Sequence, residues 1–216
     1  MEIFLKEKEK LNYFTLNNAS TNIYLAKESH LCVYSFTFGE ESVKNNLNVI
    51  LEEEQAKAEL YGLYLVSDGQ IAENNTFLRH LAPFCQSFQQ YYGILAGKGR
   101  AVFNGRIRIE RKAKGTDAYL ENKNILLSND AEVLGRPFLE IFDDDVKCTH
   151  AFSASLLEED EIFYLRSRGI DKETAKKILL TSFAKKIINK VNKPSLKENL
   201  CAKISQFLTE RLEAKN

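Results

Sequence analysis

Between Asn12 and about Phe152 apolar side chains return at every second position, in short runs broken by turn formers, which restricts this part of the chain to β architectures. Ile107 and Ile109, set between Arg106, Arg108 and Glu110, show the pattern: alternate residues of a strand point to opposite faces. Similar runs fall at Tyr13 to Leu16, Asn22 to Leu25, Cys32 to Phe38, Asn48 to Leu51, Glu59 to Val66, Phe88 to Leu95, Ala101 to Ile109, Asn124 to Ser128, Phe138 to Phe142 and Val146 to Phe152. Between them lie Gly39, Asp68-Gly69, Asn74-Asn75, Gly97, Asn104-Gly105 and Gly115. Many short strands at near-regular spacing fit a sandwich, a barrel or a solenoid, and the pattern alone does not choose. No strict repeat is visible, so a solenoid here would have irregular coils.

After Ser155 the period becomes helical. Ser155 and Glu158 read as a capping box opening a helix that runs to Arg168, with Gly169 as its stop. Asp171 reads as a second N-cap, starting a helix whose apolar face is Ala175, Ile178, Leu179, Phe183 and Ile187. Pro194 interrupts, and Ser195 with Glu198 opens a third helix striped by Leu196, Leu200, Ile204, Phe207, Leu208 and Leu212. The chain therefore divides into a β core, residues 1–154, and a helical part, residues 155–216. Three short helices cannot hide these faces by themselves, so they are expected to pack on the β core or on another chain.

Thirty basic and thirty acidic residues cancel, which removes the electrostatic pull that sequence-independent nucleic-acid binding needs. No run of eighteen apolar residues exists and Met1 to Lys10 lacks a signal peptide's apolar stretch, so no membrane partner and a cytoplasmic location are expected. Cys32, Cys85, Cys148 and Cys201 form no CxxC pair, which argues against a zinc ribbon or a thioredoxin-like motif. Gly97-Lys98-Gly99-Arg100 lacks the rest of a phosphate loop and no helical pattern follows, so ATP binding is not expected.

The most informative short constellation is Asp143-Asp144-Asp145-Val146-Lys147-Cys148-Thr149-His150. Two residues apart on a strand, Cys148 and His150 project to the same side, and a thiolate with an imidazole suits zinc, copper or an iron-sulfur unit. Two donors do not close a site, so others are expected from elsewhere, such as a second subunit. The plainer alternative is a packed cysteine beside a polar strand residue. His30 has the same spacing to Cys32 but lies near the N-terminal edge of the β region and is read as structural. The three aspartates are read as a turn.

Phrases along the chain then resemble the SufB/SufD family in its order and spacing: TFLRHLAPFCQS from Thr76, YYGILAGKGRAVFNG from Tyr91, Ala113-Thr116-Asp117-Ala118, NKNILLS from Asn122, LEIFDDDVKCTH from Leu139 and IFYLRSRG from Ile162. The cysteine two residues before the histidine is similar to SufD rather than SufB. The resemblance implies a right-handed parallel β-helix followed by a helical C-terminal subdomain. It implies a scaffold subunit, not an enzyme, that pairs with a SufB-like protein through the β-helix ends. Cys148 and His150 would then contribute to an iron-sulfur cluster shared transiently across the interface, and flavin binding is left open. The ATPase SufC would dock on the helices, at Ile162, Phe163, Tyr164, Arg166, Arg168 and the helix from Lys172; a homodimer is the alternative state in isolation.

Departures from the family pattern are specific. Ala151, Phe152, Ser153, Ala154 and Ser155 stand where the family has Gly-Ala-Thr and soon another glycine, and Leu120 stands where it often has glutamine. From the resemblance, the part before Thr76 is expected to be short for the family, without its usual N-terminal helical part. Two other readings compete: a SufC-docking module that has lost cluster binding, and a hydrolase or transferase using Cys148 and His150.

Overall fold

The computed structural model describes residues 1–39 and 41–213. Among these, strands alternate between two sheets. One sheet holds β1 (Glu2–Leu5), β3 (Ser20–Leu25), β5 (Ser42–Leu51), β7 (Ile71–His80), β9 (Arg100–Ile109) and β11 (Glu132–Ile141). The other holds β2 (Lys10–Leu16), β4 (His30–Phe38), β6 (Lys57–Val66), β8 (Gln86–Leu95), β10 (Thr116–Leu126) and β12 (Val146–Leu156). Neighbouring strands pair in parallel throughout. Ser42 lies beside Ile71 and Ile71 beside Arg100, so 29 residues carry the chain once around. The architecture is a parallel β-helix, the solenoid among the three expected options.

Inward residues stack in columns down the axis. Ile23, Val49, Leu78 and Ile107 occupy successive coils in register, each with no exposed surface. Burying such a side chain stabilises by roughly 1.5–3 kcal/mol. The lumen is not wholly apolar: Thr37, Asn45, Asn74, Thr76, His80, Gln89, Asn122 and Asn124 are buried as well. These polar columns explain why β7 escapes the sequence pattern, because Asn74, Thr76 and His80 on its inner face erase the apolar alternation. β1 escapes because it has only four residues.

The helices α2 (Lys172–Ile188) and α3 (Pro194–Glu213) cover the outer face of the β2-to-β12 sheet, and α1 (Glu159–Ser167) packs against α2. Leu180, Ala184, Ile187, Leu200, Ile204 and Leu208 form one cluster with Tyr34, Phe36, Tyr61, Leu63 and Tyr92. Phe183 stacks on Tyr92 with ring centroids 4.7 Å apart, and the Tyr34 hydroxyl donates to the Lys190 carbonyl at 2.8 Å. The third-helix stripe is therefore core, packed on the β body.

Two local expectations need correction. Ser155 lies inside β12, and α1 starts after Glu158, which makes no side-chain cap. The strand continues because pairing with β10 extends to Leu156, opposite Leu126, and this ladder outweighs a local capping signal. On α2 the buried stripe is Ala175, Leu180, Ala184, Ile187 and Ile188, while Ile178 is 40% exposed. Two other signals hold: the Asp171 carboxylate accepts from the Thr174 amide at 3.0 Å, and Gly169 at φ 84° closes α1. Among the described residues no helix is long and apolar enough to cross a membrane.

Candidate functional site

The coil that ends the β-helix leaves β11 and β12 as the outer strands of their sheets, each paired on one side only. Open parallel edges of this kind are templates for another chain. The rim around them is apolar and accessible, with Leu134, Phe138, Ile141, Phe142, Phe152 and Leu156 all exposed.

Cys148 and His150 stand on β12, in register with Ala118 and Leu120 of β10. Ala118 and Leu120 point into the lumen, so Cys148 and His150 face the same way, at the mouth where no further coil covers them. Cys148 is half-buried against the core cluster and His150 is exposed. Asp143 to Asp145 form the turn before the strand, with the Asp143 carboxylate accepting from the Asp145 amide at 3.0 Å.

Burial pushes the Cys148 thiol up to about 11, and the nearby Asp117 carboxylate adds to the effect. At neutral pH the group is a thiol, a poor nucleophile until a metal displaces its proton. That weighs against an activated cysteine of the hydrolase kind. At pH 8 the alkylation of Cys148 by iodoacetamide is expected to run ~100-fold slower in the folded chain than in urea, rising as pH approaches about 11. Peptide mass spectrometry reads this directly, and equal rates in the two states would contradict the burial argument.

Phe152 is the next inward residue, beside Asn122 in register. Its ring lies over Gly135 of β11, where an added Cβ would overlap it. The bulky side chain that departs from the family pattern thus has its space supplied across the mouth by a glycine. Nothing in the sequence links positions 135 and 152, since the two meet only when the last coil closes. Leu120 is fully buried beneath His150 and lines the lumen floor of the mouth.

On α1 the five residues proposed for docking divide by exposure. Ile162 is 2% exposed and anchors the helix; Phe163 and Tyr164 are 70% and 58% exposed, and Arg166 and Arg168 are exposed too. Arg168 sits over the Tyr164 ring, 5.3 Å from its centroid. The outward surface is therefore an aromatic pair flanked by guanidinium groups, and Ile162 is not part of it.

Comparison with known proteins agrees with the fold. Residues 1–183 match the family model described as SUF system FeS cluster assembly, SufBD core domain. The iron-sulfur cluster assembly protein SufD of Escherichia coli (strain K12) is 34% identical over 190 residues, covering 88% of this chain and 45% of that protein. A SufBD family protein of Mycobacterium leprae is 35% identical over 193 residues, covering 86% and 49% respectively. A SufD of Plasmodium falciparum is 33% identical over 168 residues, 77% of this chain. The chain spans about half the length of the first two relatives. The match reaches back to residue 1, beyond the phrases after Thr76 that carry the likeness in the sequence. The chain belongs to the SufBD core family of iron-sulfur cluster assembly proteins.

Proposed function

We propose that this SufBD-family chain acts as the SufD-like scaffold of a three-component complex, building iron-sulfur clusters where its open β-helix end meets a SufB-like subunit. One observation carries the reading: the unpaired edges of β11 and β12 surround a thiol and an imidazole that face the mouth together. Pairing with a second β-helix removes both open edges and covers the apolar rim. Cys148 and His150 supply two soft donors, and the SufB-like partner supplies the remaining ones. The cluster is the product under assembly, held briefly and passed on, so a half-site on each subunit suits the task better than a closed cage.

The exposed Phe163, Tyr164 and Arg166 on α1 and Arg168 just after it, with the start of α2, form the docking surface for an ATPase of the SufC kind. Because α2 and α3 pack on the same sheet that ends in β12, movement of the helices is felt at the mouth. The protein itself then performs no chemistry on ATP.

Co-expression with SufB and SufC proteins from the same source is expected to yield a stable complex containing this chain. In that complex His150→Ala leaves assembly intact and lowers cluster content, read by absorbance and iron assay, by roughly 10-fold or more. Recovery of the chain alone would count against the scaffold role. An intact complex with unchanged cluster yield would instead favour a docking module that no longer holds a cluster, a reading that the Phe152 ring at the mouth makes specific.

A further inference from the structure

On the outer face of the β2-to-β12 sheet, three to four strands from β12, the side chains of His30, Cys32 and Glu59 converge. At a strand spacing of about 4.8 Å this group lies roughly 14–19 Å from the mouth. Cys32 and Glu59 are direct neighbours across β4 and β6, and His30 precedes Cys32 on the same face. Their ligating atoms lie within 4.8 Å of one another. His30 Nε2 is 2.7 Å from Glu59 Oε2 and 3.6 Å from Cys32 Sγ, and Cys32 Sγ is 3.4 Å from Glu59 Oε2.

We propose that His30, Cys32 and Glu59 form a second metal site, for a divalent ion of the zinc class, with a fourth position open to solvent. The distances favour it. Ordinary zinc bond lengths and tetrahedral angles require edges of about 3.6 Å for S···N, about 3.4 Å for N···O and about 3.6 Å for S···O. The S···N edge already has that length and the S···O edge is within about 0.2 Å of it; the His30–Glu59 hydrogen bond must open by about 0.7 Å.

A catalytic relay would look different. In a nucleophile–base–acid chain the acid holds the ring nitrogen facing away from the nucleophile. Here thiol and carboxylate meet the same nitrogen, Nε2, as ligands around one centre do. The carboxylate is also held from behind: Glu59 Oε1 is 3.3 Å from Lys57 Nζ and accepts from the Tyr61 hydroxyl at 3.3 Å, which leaves Oε2 aimed at the other two donors. Such support behind a ligand is typical of metal sites. The chemistry of the set, one thiolate, one imidazole and one carboxylate, suits zinc over magnesium or calcium, and the bound charges cancel once the thiol proton is released to solvent. Glu59 also lines a surface cavity of about 210 Å³ with Phe88, Asp117 and Tyr119, so the carboxylate end of the group borders open solvent.

Titration of the metal-free full chain with Co²⁺ tests this. The expected result is one ion per chain with a thiolate-to-cobalt charge-transfer band and tetrahedral d–d bands, displaced by Zn²⁺. Both are retained in a Cys148→Ser/His150→Ala double variant, which separates this site from the mouth. Cys32→Ser should abolish the charge-transfer band and weaken binding by more than about 100-fold, since even partners behind a ligand are worth 10–100-fold. Glu59→Gln, which preserves side-chain size, should weaken binding without removing the thiolate band. A band that survives Cys32→Ser, a band that disappears in the double variant, or no Co²⁺ uptake by the parent chain overturns the proposal.

Discussion

Replacing Asn122 by leucine is expected to destabilise the β-helix by about 3–5 kcal/mol, although leucine has the same branched heavy-atom skeleton and is more apolar. Asn122 is fully buried in the lumen. Its amide donates to the Tyr64 hydroxyl at 2.9 Å and to the Tyr91 carbonyl at 2.8 Å, and its oxygen accepts from Asn124 at 2.9 Å. Leucine would leave the Tyr91 carbonyl and one Asn124 donor without these partners, in a place water does not reach. Each orphaned buried group costs roughly 1–3 kcal/mol, more than a leucine gains there. The damage extends to the candidate site, because Asn124 also donates to the Ser153 carbonyl of β12 at 3.1 Å. Urea unfolding followed by circular dichroism gives the stability loss, and amide exchange along β12 should accelerate in parallel. A loss under about 1 kcal/mol would show that the lumen tolerates an apolar column at this level.

That polar lumen also marks the limit of what the sequence reveals. Strands with aliphatic inner faces, such as β6 and β9, are plain in the two-residue period, and the helical change after β12 is equally plain. β7 is hidden because its inward Asn74, Thr76 and His80 are polar, so its buried face breaks the apolar alternation. The end of β12 was obscured by a competing local signal at Ser155, which the ladder to β10 overrides. At the mouth, the spacing of Cys148 and His150 is enough to place them together, since strand geometry is local. The glycine that accommodates Phe152 is not legible, because that contact joins residues seventeen positions apart on different sheets. The group around His30 is hidden for the same reason: Glu59 belongs to the next coil, and only the register of β4 and β6 brings it to Cys32.

Acid is expected to weaken the fold by way of His80 from about pH 6.5 downward, starting above the range in which carboxylates titrate. This residue has no exposed surface; one ring nitrogen lies 2.9 Å from the Ser87 hydroxyl and the other has no hydrogen-bond partner. Leu51 and Ile109 flank it in register, so nothing nearby welcomes a positive charge. Burial lowers its pKa to about 4, from an ordinary 6.5. With the folded value depressed, the unfolded chain binds a proton that the folded chain refuses, and stability falls as pH drops from about 6.5 to about 4. The loss across that window is about 3 kcal/mol, complete once His80 protonates in both states. Carboxylates such as Glu110, held below the usual range by hydrogen bonds from Arg108 and Arg79, act at lower pH, so the two effects separate. His80→Gln can keep a hydrogen bond to Ser87 and cannot titrate. Urea midpoints measured from pH 7 to pH 4 should therefore fall steeply in the parent chain and much less in the variant, whatever the variant's stability at pH 7. Parallel curves for the two proteins would mean that the acid sensitivity lies elsewhere and that the lumen around His80 admits water.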